Sequence, residues 1–123
     1  MLASPIRKVD AVGIPASDLD RSRSFYVETL GLRPDANATH EFWVGDTCFE
    51  IWDPTELGIE HQPQPTSIAL LQVDDVQAAR AELEEKGVRF DGETFDTGVC
   101  HIAQFADPDG NVLSLHHRYA PSA

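Results

Sequence analysis

Three ionisable side chains on or beside predicted strands could carry chemistry: Glu50, His101 and His116. A carboxylate and an imidazole can serve as general base and general acid, and the same groups can ligate a divalent metal ion. Glu50 and His116 are therefore the candidate catalytic residues. Cys48 and Cys100 are far apart in the chain and lack the spacing of metal ligands, so we expect both to be reduced, buried and inert.

A β-hairpin is predicted near the C-terminus. Residues 107–110, Asp-Pro-Asp-Gly, have the residue types of a tight turn. Short, apolar-rich stretches flank them at 100–105 and 112–116, as expected for the two strands of a hairpin.

The second strand of this hairpin has two different faces. Ser114 and His116 share one face, whereas leucines occupy the other face and mark it as the core side. If the turn pairs Ala106 with Asn111, then His101 lies directly opposite His116. Both histidines would then face a cavity together with Ser114.

The same order of elements, one strand, one helix and then three strands, is predicted twice along the chain. The first set is a strand over 6–14 that stops at Pro15, a helix from a cap at 17–20 to Leu30, and strands around 32–36, 40–44 and 47–52. The second set is a strand over 67–73, a helix that begins after Asp74 and Asp75 and ends at Gly87, a strand from Val88, and the hairpin. A repeat of this size indicates that each half leaves one sheet face bare and needs the other half.

We therefore expect one α+β domain over residues 1–123, built of two βαβββ modules that form a curled mixed sheet around a cup-shaped groove. Module 1 covers about residues 5–53 and module 2 about residues 67–119. The linker, residues 54–66, is predicted as a loop because it contains three prolines and little hydrophobic periodicity.

Acidic residues outnumber basic ones, 21 against 9, which gives a formal net charge of −12. This balance argues against nucleic acid as a partner, because nucleic-acid binding needs a basic surface, and it favours a cationic ligand. No apolar run approaches the roughly 20 residues of a membrane span, and residues 1–6 lack the hydrophobic core of a signal peptide. We therefore expect a cytoplasmic protein with no membrane partner.

Four short motifs lie at 14–26, 30–32, 73–76 and 105–111, and the last of them reads Phe-Ala-Asp-Pro-Asp-Gly-Asn. Together they resemble the motifs of the vicinal oxygen chelate superfamily, which includes glyoxalases, bleomycin resistance proteins and extradiol dioxygenases. The resemblance extends over nearly the whole chain. It implies the fold of two βαβββ modules but no single activity, because one fold can host unrelated functions.

In the metal-using members of that superfamily, four inward positions supply His and Glu ligands to one divalent ion. The motifs place these positions at Ala11, Glu50, Ile68 and Ser114, or at Ser67 instead of Ile68 if that strand slips by one residue. Only Glu50 is a residue type that the superfamily uses there, and one carboxylate supplies too few donors for a transition metal. We therefore expect no cofactor, unless His101 and His116 rebuild a metal site.

Strand alternation predicts which side chains line the groove. The inward residues are Val9, Ala11, Gly13, Cys48, Glu50, Trp52, Ile68, Leu70, Val112, Ser114 and His116, with His101 added by the hairpin pairing. Mostly apolar walls with few polar groups are typical of sites for small organic ligands. A desolvated Glu50 would need an imidazolium or a cation on the ligand as its partner, unless it reaches bulk water through the mouth of the groove.

Two functions remain open. The first is a metal-free small-molecule binding protein that resembles the bleomycin-resistance branch and holds a flat, apolar and preferably cationic ligand against Trp52. The second is a glyoxalase-like lyase or isomerase, or a dioxygenase, that uses Glu50 and His116 with no metal or with a non-standard metal site. We favour binding, because no nucleophile and base lie at short spacing. We also expect a homodimer, since each module makes only a half-open cup and two-fold pairing is the commonest oligomer.

Overall fold

The computed structural model describes residues 4–121, which form eight strands and two α-helices. Module 1 contains β1 (Ala11–Pro15), α1 (Leu19–Ser24), β2 (Arg33–Pro34), β3 (Glu41–Val44) and β4 (Thr47–Trp52). Module 2 contains β5 (Leu70–Gln72), α2 (Val76–Glu85), β6 (Arg89–Asp96), β7 (Cys100–Ala106) and β8 (Val112–Arg118). A π-helical segment (Phe25–Thr29) extends α1, and a 3₁₀ helix (Pro54–Leu57) follows β4. No helix in this part of the chain is long and apolar enough to cross a membrane.

The strands form two four-stranded mixed sheets, sheet A with the order β1-β4-β3-β2 and sheet B with the order β5-β8-β7-β6. In each sheet the first strand of the module pairs in parallel with the last, and the other pairs are antiparallel. The prediction of an α+β fold made of two βαβββ modules is confirmed. Within residues 4–121 no strand pairing joins the two sheets, so the modules form two separate sheets and not one continuous curled sheet.

Three strands, β1, β2 and β5, are clearly shorter than the sequence predicts. β2 covers only Arg33–Pro34 of the predicted 32–36. β1 begins at Ala11 rather than at residue 6, so Val9 precedes the strand and is exposed instead of lining the groove. β1 also includes Pro15, which is tolerated there because it is the last residue of an edge strand and its missing N–H removes no ladder bond. The regular part of β5 covers only residues 70–72, because the chain bends at Ile68.

Both helical segments begin and end close to the predicted residues, but the first changes from α-helix to π-helix at Phe25. Asp18 and Asp75 cap α1 and α2, each by accepting a hydrogen bond from the backbone N–H three residues further on. Gly31 and Gly87 follow the two helical segments with φ values of 75° and 89°. Glycine adopts this left-handed conformation without steric cost, so these two residues end the helices.

One hydrophobic cluster joins the two modules. It includes Ile14, Tyr26, Phe42 and Ile51 from module 1 and Val76, Phe105, Leu113 and Leu115 from module 2. The two leucines of β8 are buried in it, as strand alternation predicts. Tyr26 stacks on Phe42 with ring centroids 5.9 Å apart, which places its hydroxyl deep inside the protein.

The C-terminal hairpin is confirmed, but its register differs from the predicted one. Ala106 pairs with Val112, so five residues instead of four lie between the strands. As a result His101 lies opposite His117 and not opposite His116. The prediction that His101 and His116 face each other across the hairpin is therefore wrong.

The hairpin turn connects the two modules through buried polar side chains. Asp107 accepts hydrogen bonds at Oδ1 from the backbone N–H groups of Asp109 and Asn111, both at 2.9 Å. At Oδ2 it accepts hydrogen bonds from the Tyr26 hydroxyl at 2.7 Å and from the Asn111 amide at 2.9 Å. The Asn111 amide also donates to the Pro15 carbonyl at 2.8 Å. Because these bonds keep Asn111 inside the turn, strand pairing starts one residue later than predicted.

The variant Tyr26→Phe tests this connection. Burial, together with the charge of Asp107 and the hydrogen bond to it, raises the pKa of Tyr26 far above its ordinary value, so the hydroxyl remains a donor. Its loss should lower the free energy of unfolding by about 1.5–3 kcal/mol, the usual contribution of a hydrogen bond to a charged group. Urea denaturation followed by circular dichroism measures the change.

The matched control is Tyr119→Phe, which also removes a tyrosine hydroxyl. The Tyr119 side chain is exposed, and its hydroxyl donates a hydrogen bond of 2.7 Å to the Asp96 carboxylate. Water can replace this exposed bond, so the control should be much less destabilised. Equal losses in the two variants would show that the buried contact has no special role.

Candidate functional site

The predicted groove residues of module 1 lie on the outer face of sheet A, which is turned away from the hydrophobic cluster. The register of β1 and β4 pairs Ala11 with Cys48 and Gly13 with Glu50. Strand alternation places Trp52 on the same face. These five residues therefore share one face of sheet A, where Cys48 is buried.

Module 2 presents its groove residues on the outer face of sheet B. The register of β5 and β8 pairs Leu70 with Ser114 and Gln72 with His116. Leu70 is 56% exposed, whereas Ser114 is only 1% exposed. Ser67 covers Ser114 and accepts a hydrogen bond of 2.9 Å from its hydroxyl. The Ser114 side chain is therefore closed off from solvent.

His101 lies on the opposite face of sheet B, near the N-terminus of α2. Its Nε2 atom is 3.6 Å from an Asp96 carboxylate oxygen, and its ring lies 4.9 Å from the Tyr119 ring, measured between centroids. Glu50 is on sheet A and His116 is on sheet B. The structure therefore does not bring Glu50, His101 and His116 together.

A cleft of about 560 Å³, which we call the linker cleft, lies where module 1 meets the linker and the start of module 2. Its walls are Gly13, Pro15 and Trp52 from module 1, Pro54, Ile59, Glu60, Gln62 and Gln64 from the 3₁₀ helix and linker, and Ile68 from module 2. It thus brings together three of the predicted groove residues. The remaining walls come from the linker, which its prolines predict only as a connecting loop.

A second cleft of about 510 Å³, which we call the acidic cleft, shares Trp52 with the linker cleft. Its carboxylates are Glu41, Glu50, Asp53 and Glu56, and His40 also lines it. Glu50 is exposed, so of the two alternatives for this carboxylate the structure has the one in which it reaches bulk water. Hydrogen bonds from Thr55 hold the pKa of Asp53 below its ordinary value, so Asp53 remains ionised. The described residues that line the two clefts include no lysine or arginine.

Trp52 is the wall common to both clefts. Its indole lies against the β1 backbone at Gly13, where a Cβ atom would come within 3.4 Å of the indole nitrogen. The missing side chain at Gly13 therefore allows the ring to rest on this strand. Trp52 is half-buried, so part of the ring stays open to solvent.

Cys48 lies on the same sheet face but is not a reactive group. Burial, together with a hydrogen bond to Glu41 and the negative charges of nearby acids, raises the pKa of Cys48 to about 11. The thiol therefore keeps its proton at neutral pH and is a poor nucleophile. Cys48 and Cys100 are both free and buried, as predicted.

Comparison with known proteins assigns the chain to a family. Residues 8–115 match the family described as the Glyoxalase/Bleomycin resistance protein/Dioxygenase superfamily. The chain belongs to this superfamily. The resemblance of its four motifs is thereby confirmed.

Three relatives cover nearly the whole chain. TnmS3, an antibiotic binding protein from Streptomyces sp. CB03234, is 34% identical with a TM-score of 0.74, over 94% of this chain and 99% of TnmS3. A member of the same superfamily from Sphaerobacter thermophilus DSM 20745 is 25% identical with a TM-score of 0.75, over 90% of this chain and 97% of that one. The uncharacterized protein YurT from Bacillus subtilis (strain 168) is 28% identical, over 88% of this chain and 97% of YurT.

The four positions that would supply metal ligands do not fit a metal ion in this chain. Ala11 and Ile68 carry no donor atom, and the hydroxyls of Ser67 and Ser114 are bonded to each other. Glu50 alone offers a carboxylate, whereas transition-metal sites need three or four donors. Among residues 4–121, no group of three or more His, Cys, Asp or Glu side chains is arranged to hold a metal ion.

We therefore expect protein purified without chelators to carry well below one divalent metal ion per chain. Inductively coupled plasma mass spectrometry measures the metal content. A value near one for zinc, nickel, manganese or iron would contradict this expectation if the metal were lost in Glu50→Ala. The control Glu82→Ala, which removes an exposed carboxylate from α2, should leave any metal content unchanged.

Proposed function

We propose that this protein binds a small organic ligand without a metal ion, and that the ligand is flat, apolar and positively charged. The observation that carries the proposal is the position of Trp52, which forms one wall of the linker cleft and one wall of the acidic cleft. A ligand lying on this indole would place its apolar part in the first cleft and its charge in the second.

The linker cleft would supply most of the affinity. Pro15, Trp52, Ile59 and Ile68 give it apolar walls, and Ile59 is 51% exposed in the free chain. Burying an apolar ring system there would gain about 25 cal/mol per Å² of apolar area. Stacking of a cationic ring on tryptophan would add roughly 0.5–2 kcal/mol.

The acidic cleft would supply selectivity for a cation. Glu50 lies beside three further carboxylates, and the whole chain has a formal net charge of −12. Anionic ligands would be repelled from this surface, and cationic ligands would be attracted to it. Glu50 is exposed, so water screens its charge and its carboxylate should add little to the total binding free energy. Its main effect should be a preference for cationic ligands over neutral ones.

The relative TnmS3 supports this class of function. It is described as an antibiotic binding protein, and it is 34% identical to this chain over nearly the full length of both. We extend from it only the binding of a small molecule. The enzymatic alternative lacks a comparable observation, because Glu50 lines the acidic cleft and His116 does not.

We also propose that the protein is a cytoplasmic homodimer. Leu70 and Phe95 lie on the outer face of sheet B and are 56% and 48% exposed. A second copy related by a two-fold axis would cover these apolar side chains. Two free cysteines are consistent with a reducing compartment such as the cytoplasm.

Two flat probes that differ in charge test the site. N-methylacridinium is permanently charged, and acridine at pH 8 is its neutral analogue. We expect the charged probe to quench tryptophan fluorescence and to bind about tenfold more tightly than the neutral one, as for a single favourable charge contact. Glu50→Gln should remove most of this preference and leave acridine binding nearly unchanged, because only the charged probe uses the carboxylate.

Matched tryptophan variants locate the probe. Trp52→Phe should lose most of the quenching, whereas Trp43→Phe should keep it, because the Trp43 indole bonds to Asp35 outside both clefts. The proposal fails if neither probe binds saturably. It also fails if Glu50→Gln weakens both probes equally.

The homodimer is tested by gel filtration coupled to light scattering. We expect twice the chain mass of 13.6 kDa for the wild-type protein. Leu70→Glu should give monomers, because it places a charge on the proposed apolar interface. Ile6→Glu, at a position exposed before β1, should remain dimeric. A wild-type monomer at micromolar concentration would refute the proposal.

A further inference from the structure

His61 lies in the middle of the linker wall, which we define as residues 59–64. Four of these residues, Ile59, Glu60, Gln62 and Gln64, line the linker cleft. The His61 side chain is 19% exposed. Its Nε2 atom is the one buried side-chain nitrogen or oxygen in residues 4–121 that has no hydrogen-bond partner. Such unpaired atoms are rare because they lose their bonds to water on folding. The position of this imidazole therefore requires a physical reason.

His61 faces a buried carboxylate. Its Nε2 atom is 3.8 Å from Oδ1 of Asp109, which is too long for a hydrogen bond but within the range of an ion pair. The Asp109 side chain is 2% exposed and accepts hydrogen bonds from Ser17, Arg21 and Ser22. Burial alone would raise the pKa of Asp109, but these bonds and the charge of Arg21 hold it below its ordinary value. Asp109 is therefore ionised next to His61.

Three charged groups act on His61 from the elements packed around it. Asp109 of the turn and Asp53, which precedes the 3₁₀ helix, attract a positive imidazole. The pKa of Asp53 is lowered mainly by hydrogen bonds from Thr55 and also by the charge of His61. Arg21 of α1 repels a positive imidazole, but its side chain is 50% exposed, so water screens the repulsion.

The linker wall is fixed at both ends but not in its middle. The Ile59 N–H donates to the Pro54 carbonyl at 3.0 Å, and the Gln64 N–H donates to the Asn111 side chain at 2.8 Å. Between these points, residues 60–63 make no backbone hydrogen bond to any described residue. The side chains on either side of His61 are exposed. The imidazole is therefore the inward attachment of this segment.

We propose that His61 is a positioning residue that, when protonated, latches the linker wall onto Asp109 and thereby strengthens ligand binding in the linker cleft. A neutral imidazole loses the attraction and leaves its buried nitrogen unpaired, so the middle of the wall is released. Ligand affinity is therefore higher when the imidazole of His61 is charged than when it is neutral. The effect on affinity rests on the proposed function, whereas the latch itself does not.

Thermodynamic coupling gives this proposal a second consequence. If protonation strengthens ligand binding, ligand binding must strengthen protonation by the same factor. Binding near neutral pH is therefore accompanied by uptake of a fraction of a proton. Calorimetric titration in buffers of different ionisation enthalpy detects this uptake.

The experiment measures the affinity for N-methylacridinium, whose charge does not vary with pH, at about pH 5.5 and pH 8, the two sides of the range in which histidine changes charge. We expect the wild-type protein to bind about three- to tenfold more tightly at the lower pH, the size of a modest coupling between sites. His61→Gln should bind equally at both pH values, and His61→Arg should bind tightly at both. His101→Gln, which removes an imidazole that also faces a carboxylate but lines neither cleft, should keep the wild-type profile.

Hydrogen exchange of the amides of Ile59 and Gln64, the hydrogen-bonded ends of the linker wall, reports the latch directly in the protein without ligand. At the lower pH these amides should be more protected in the wild-type protein than in His61→Gln, and at the higher pH the two proteins should be equal. Comparison at the same pH cancels the intrinsic exchange rate. Equal protection at both pH values, or a pH-dependent affinity that survives His61→Gln, would overturn the latch. If the probe binds at no pH, the proposed function fails and the exchange result alone decides the latch.

Discussion

Asp107 carries a buried carboxylate that receives four hydrogen bonds, and the arrangement of the two modules depends on it. Two of the donors are backbone groups of its own turn, and a third is the hydroxyl of Tyr26 in module 1. A carboxylate buried without such donors would cost several kcal/mol, so the turn and the helical segment that carries Tyr26 are stable only together. Each module therefore completes a polar contact in the other.

The same turn positions the linker cleft. Asn111 donates from its amide nitrogen to the Pro15 carbonyl and accepts at its amide oxygen from the Gln64 N–H, both at 2.8 Å. Pro15 and Gln64 both line the cleft, so one buried amide sets the separation of these two walls. Trp52 is fixed by the parallel pairing of β4 with β1, which ends at Pro15. This side of the cleft is thus preformed, which would reduce the entropy lost on association if the proposed ligand binds there.

Signals that act within a few residues predicted much of the fold. Helix caps, terminal glycines and strand alternation depend on local backbone geometry, so they placed both helices, the hairpin and the buried leucines of β8. The position of Trp52 on the face of sheet A that is turned away from the hydrophobic cluster followed from the same alternation. The hairpin register and the linker walls depend instead on contacts between distant residues, such as Asn111 with Pro15 and His61 with the turn. No periodicity in a single sequence marks such contacts, which is why the linker was predicted only as a loop.

The contact between Tyr26 and Asp107 also affects how the protein is made, because 81 positions separate the two residues. At about 5–20 residues per second, the ribosome needs roughly 4–16 s to add Asp107 after Tyr26. During that interval module 1 has neither its buried carboxylate partner nor the apolar side chains that module 2 contributes to the shared core. The nascent chain therefore presents a half-covered apolar surface to chaperones and proteases, and a ribosome that stalls before the turn releases a polypeptide that cannot close its core.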